Sequence, residues 1–106
     1  MAWIYLFAAG LFEVVWAYFM KESEGFSRLA PSAVTITAMV ASVALLSVAM
    51  RTIPLGTAYV VWTGIGALGT FAVGIVAYGE TMSAARMAAA AIILSGLVMM
   101  KLSTSD

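Results

Sequence analysis

The sequence predicts an all-α membrane protein with four transmembrane helices. Of its 106 residues, 64% are hydrophobic and 9% charged, against about 25% charged in an ordinary soluble domain. A soluble chain this small has too much surface to cover with so few polar groups, so lipid is the solvent for most of these side chains. The charges also cluster, in short polar stretches between four apolar runs. A run of about 19 residues makes a helix of about 28 Å, close to the ~30 Å hydrocarbon core of a bilayer. Backbone groups in lipid must pair within their own segment, which makes helices the expected form.

The first run is Ala2–Met20. It lacks a basic leader, is too long for the apolar part of a signal peptide and carries Glu13, so it reads as a retained helix over 2–20. The connection "KESEGFSRLAP" follows, with Gly25 as a breaker and Pro31 where the next helix can open. That helix is predicted over 32–50. "RTIPLG" turns the chain into a third helix over 57–78. "GETMSAAR" leads to a fourth over 84–102, whose apolar centre, Met87–Met100, is lengthened by Arg86 and Lys101 reaching toward the two interfaces. Short connections make consecutive helices antiparallel neighbours. The whole chain, 1–106, reads as one domain, with only the polar "STSD" beyond the last helix.

Composition also removes several classes of function. There is no Cys and no His, so disulfides, Cys/His zinc sites and imidazole chemistry are absent. Five basic and five acidic residues balance to zero, which leaves no basic face for nucleic acid. No glycine-rich phosphate loop is present. One Glu with Tyr and Trp makes no nucleophile–base set, so neither an enzyme nor a cofactor is expected. No internal repeat is visible. Four helices from one chain enclose little, so a cavity calls for an oligomer. Lys21, Arg28 and Arg86 fall on one side of the membrane, and Arg51 and Lys101 with the N-terminal amine on the other. So small a bias predicts insertion in both orientations and pairing as an antiparallel homodimer.

Glu13 stands out. An ionised side chain at mid-membrane costs about 2.5–3.5 kcal/mol or more, and such residues normally face a bundle interior or a wet cavity. None of the four apolar runs contains Lys or Arg, so Glu13 has no fixed cation there. It can bind a proton or a mobile cation. Ala9, Gly10, Trp16 and Ala17 share its helical face. The small residues leave room beside the carboxylate, and Trp16 is either a flanking indole or an interfacial anchor.

The third run contains "GTAYVVWTGIGALGT". Tyr59, Trp62 and Gly66 form one stripe. The rings present π faces to a cation, their O–H and N–H groups seek acceptors, and Gly64, Gly66 and Gly69 allow close helix approach. The same features also suit plain membrane packing. In the second run Thr35, Met39 and Ser42 share a face, and Ser42 either serves the site or bonds its own helix four residues back. In the fourth, Ala91, Ser95 and Gly96 form a small-residue patch suited to close helix contact in lipid.

"GLFEVVWA" and "PLGTAYVVWTGIGALGT" resemble the small multidrug resistance transporter family, and the third-helix motif is most similar to its guanidinium-exporter branch. The resemblance covers essentially the whole chain. It implies an antiparallel dual-topology homodimer in the bacterial inner membrane, exporting small guanidinium cations in exchange for protons. It implies that Glu13 binds protons and substrate alternately, that Ser42, Tyr59 and Trp62 partner it, that Trp16 flanks it, that Gly10 lines the pocket, and that the fourth helix is the dimer contact. Two departures from the family pattern stand out, an Ala-rich fourth helix and the bulky pair Tyr18–Phe19. The competing readings are broad efflux of quaternary ammonium compounds and a dual-topology ion channel. A proton-ring subunit needs only a helical hairpin, and a structural assembly factor leaves Glu13 unexplained.

Overall fold

A computed structural model describes residues 1–103; the last three residues of the polar tail, 104–106, lie outside the described residues. Four helices follow one another: α1 (Ala2–Glu22), α2 (Leu29–Ala49), α3 (Leu55–Tyr78) and α4 (Ala84–Ser103). All four are long and apolar enough to cross a membrane.

The ends have local causes. The turn after α1 takes left-handed backbone at Glu24, Gly25 and Phe26, with φ of 50°, 75° and 66°. Buried Ser23 holds that turn: its hydroxyl donates to the Met20 carbonyl at 2.6 Å and accepts the Phe26 amide at 3.0 Å. α2 starts at Leu29, three residues before the predicted boundary, with Arg28 extended as its cap. Pro31 therefore lies inside the first turn. Amides there have no intrahelical acceptor, so the missing proline N–H costs no helix bond. α3 begins directly after Pro54 and ends at Gly79, whose left-handed φ of 63° lets the amides of Gly79 and Glu80 return to the carbonyls of Ile75 and Gly74. Ser83 caps α4, its hydroxyl accepting the Arg86 amide at 3.1 Å.

α1 is the centre of the bundle and packs on both α2 and α3, which barely touch one another. The core lies toward the N-terminal end of α1 and joins Leu6 and Ala9 to Leu46, Ala49, Ile53, Ala58 and Val61. α1 and α3 run in the same direction and interlock through glycines. A Cβ at Gly10 would strike Ile65, one at Gly66 the Glu13 carboxylate, and one at Gly69 the Val14 side chain. In lipid such close backbone approach carries much of the association, because lipid tails are as apolar as the side chains.

α4 stands apart. It packs on α3, where Leu97 fills the space over Gly64, and none of its residues is buried. It is tied further by Leu97 and Met100, which pack against the core, and by Lys101, whose ammonium lies 4.8 Å from the Trp3 ring centroid of α1. The patch of Ala91, Ser95 and Gly96 is uncovered, with open space over Gly96 and the Ser95 hydroxyl turned to its own helix, on the Ala91 carbonyl at 2.9 Å.

Leu6 is fully buried in the core. Leu6→Ala is expected to lower stability by roughly 2 kcal/mol or more through the cavity it leaves. Unfolding in mixed detergent micelles checks this; an unchanged midpoint would contradict the core assignment.

Candidate functional site

The site is built on the interlocked seam of α1 and α3. Glu13 lies near the middle of α1 and is half-buried. Its carboxylate rests against the bare backbone of Gly66, in the space a Cβ there would need. Oε1 is buried and has no hydrogen-bond partner among the described residues. The basic residues sit at helix ends and turns: Lys21, Arg28, Arg51, Arg86 and Lys101. α1 and α3 thus hold a carboxylate near the middle of an apolar helix, with a vacant acceptor and no ion-pair partner among the described residues.

A hydrogen-bonded chain crosses the bundle beside it. The Trp62 indole on α3 donates to the Ser42 hydroxyl on α2 at 3.0 Å, and that hydroxyl donates to the Ala9 carbonyl on α1 at 2.7 Å. Ser42 therefore does not bond its own helix. The Ala9 carbonyl is also the helical acceptor for the Glu13 amide, four residues on. The chain ties α2 and α3 to the turn of α1 that carries the carboxylate. Buried bonds of this kind are expensive to break, since each orphaned group loses its hydration as well.

Tyr59 stacks beside Trp62, with ring centroids 5.5 Å apart at 53°, and is about half exposed on the surface of the bundle. Gly10 is buried against Ile65. Trp16 is partly buried, and its indole N–H has no partner among the described residues. The structure thus brings Ser42, Trp62 and Tyr59 into one cluster and Glu13 with Gly66 into another. It makes no hydrogen bond from the first cluster to the carboxylate. No group of three or more His, Cys, Asp or Glu capable of holding a metal occurs among the described residues.

The Ala9 carbonyl was not legible as a participant, because a backbone group leaves no mark in the residue pattern. The polar end of the seam was missed as well. There the Tyr78 hydroxyl donates to the Glu22 carboxylate, Lys21 lies over the Tyr78 ring at 5.4 Å, and Arg86 pairs with Glu80 at 3.3 Å.

The family model for the Small Multidrug Resistance protein matches residues 1–94. The chain belongs to the small multidrug resistance family. Among its relatives, the Guanidinium exporter of Citrobacter freundii is 55% identical over 104 residues, covering 98% of this chain and 99% of that protein. The Guanidinium exporter of Salmonella typhimurium strain LT2 is 56% identical over 103 residues, covering 97% and 98%. That of Escherichia coli K12 is 55% identical over 104 residues, covering 98% and 99%. The four apolar helices and this membership make the protein a multi-pass membrane protein of a transporter family.

Ser42→Ala is expected to orphan both the Trp62 N–H and the second lone pair of the Ala9 carbonyl, destabilising the fold by about 1–3 kcal/mol. Tryptophan fluorescence followed through detergent unfolding measures this. Wild-type stability in the variant would mean that the chain of bonds holds nothing.

Proposed function

We propose that the protein exports guanidinium and small guanidinyl cations in exchange for protons, by alternating access, with both ions competing for Glu13. One observation carries this reading: a mid-membrane carboxylate whose buried oxygen has no partner, in a chain with no basic residue in its apolar runs. A group so placed is stabilised by whatever cation it can reach, and the mobile candidates are the proton and the cargo.

Guanidinium suits such a site. It is planar, its N–H fork matches a carboxylate, and its delocalised charge is weakly hydrated and tolerates aromatic contact. Tyr59 and Trp62 supply the aromatic surface, and the Ser42 chain stiffens the turn that carries Glu13. The names of the relatives, close to this chain along nearly their whole length, point to the same cargo. A site that holds protons or cargo but not both couples the two gradients.

The functional unit we propose is an antiparallel dual-topology homodimer in the bacterial inner membrane. Three features support it. The basic residues are almost evenly divided between the two sides. Tyr59 lies on an exposed face of the protomer. α4 leaves Ala91 and Gly96 uncovered, with small residues suited to meeting a second copy. Pairing brings two Glu13 carboxylates to one cavity, with Trp16 at the approach and Gly10, packed under Ile65, in its wall.

Reconstitution into liposomes with a proton gradient tests the reading. Guanidinium should accumulate against its gradient with the wild-type protein, and phenylguanidinium should bind in preference to tetraphenylphosphonium. Glu13→Gln should abolish coupled flux while the dimer still assembles. Proton-coupled exchange by that variant would refute the role of Glu13, and flux without proton exchange in the wild type would favour a channel.

A placement test addresses the dimer. Tags at the C-terminus should be accessible from both sides of the native membrane in comparable amounts. Accessibility from one side alone would refute dual topology.

A further inference from the structure

The seam between α1 and α3 does not end at Glu13. A cavity of about 170 Å³ lies further along it, lined by Ala17, Tyr18, Thr70, Gly74, Glu80 and Arg86 among others. Ala17 is one turn beyond Glu13 on α1, and Thr70 one turn beyond Gly66 on α3. The cavity therefore opens about 6 Å along the helix axis from the carboxylate, on the side where both helices end.

At its far end the chain holds a guanidinium group of its own. Nη2 of Arg86 lies 3.3 Å from Oε1 of Glu80, and Cζ of Arg86 lies 5.3 Å from the Phe71 ring centroid. A carboxylate and an aromatic face are the two surfaces a planar cation prefers. Glu80 folds back onto α3, where a Cβ at Gly74 would sit 2.7 Å from its Oε1. The neighbouring charges are engaged elsewhere: the Glu22 carboxylate with the Tyr78 hydroxyl, and Lys21 over the Tyr78 ring. Arg86 and Glu80 are each 43% exposed, so their pair is open to water and weak. It can exchange.

We propose that Glu80 and Phe71 form an outer station for planar guanidinium cations moving between water and Glu13, and that Arg86 is the tethered occupant the cargo displaces. The station rests on the transport reading above. Its rival is a clip that only fastens the α3–α4 turn. Both accept the same ion pair, but they differ in sign. For a clip, weakening the pair from either side has one and the same consequence. For a station, Arg86 competes with cargo while Glu80 receives it.

The test is guanidinium exchange in proteoliposomes by the wild type, Glu80→Gln and Arg86→Lys. The lysine keeps the charge, and with it the balance between the two membrane faces, but lacks the planar fork. Glu80→Gln should raise KM about two- to fivefold, and Arg86→Lys should lower it by a similar factor, the scale of an exposed charge contact. Both should keep kcat and the dimer. Shifts of KM in the same direction, or none in either variant, overturn the station and leave transport standing. Wild-type protein that exchanges no guanidinium overturns the transport reading and the station together.

Discussion

The structure turns on a carboxylate seated against bare backbone. Glu13 occupies the volume that any side chain at position 66 would need, so the closeness of α1 to α3 and the placement of the charge are one geometric fact. The neighbouring contacts repeat the device, with Ile65 over Gly10 and Val14 over Gly69. Each locks the register of the two helices. In lipid, where apolar side chains gain little by leaving their solvent, such interdigitation is a main source of helix association. The same packing denies Glu13 a permanent partner, because the residues beside it are small or apolar.

The hydrogen-bonded chain from Trp62 through Ser42 to the Ala9 carbonyl complements this seat. It ties these polar groups to the backbone one turn before Glu13, and neither donates to the carboxylate. The carboxylate is thus held by its helix and not by its own hydrogen bonds. Such a support serves the exchange proposed above, because position is fixed while the oxygen remains available to a proton or a planar cation. The exposed face of Tyr59 and the uncovered small residues of α4 are the surfaces that the proposed dimer would cover.

Much of this was legible in the residues. The apolar runs mark the helices because membrane thickness demands a fixed length, and Glu13 is visible as the one charge inside them. Gly66 is legible as a place of close approach, through its alignment with Tyr59 and Trp62. The start of α2 was not: Pro31 suggests a boundary, but the first turn tolerates proline two residues inside it. Ser42 was ambiguous because a hydroxyl in a helix can bond inward or across, and only the position of Ala9 decides. Glu80 was read as part of a turn, and Arg86 as a side chain reaching from the start of the fourth helix toward the interface. Their pairing across the α3–α4 connection depends on the left-handed Gly79 that brings Glu80 back over Gly74, and no periodic pattern reports that.

If a proton and a guanidinium ion compete for one carboxylate, binding of one must release the other. The most direct measurement adds guanidinium to the purified protein in weakly buffered detergent solution and follows the pH. The account predicts proton release that saturates together with cation binding and vanishes when Glu13 is replaced by Gln. Saturable guanidinium binding with no proton released, at any starting pH across the range where the protein stays folded, would contradict it.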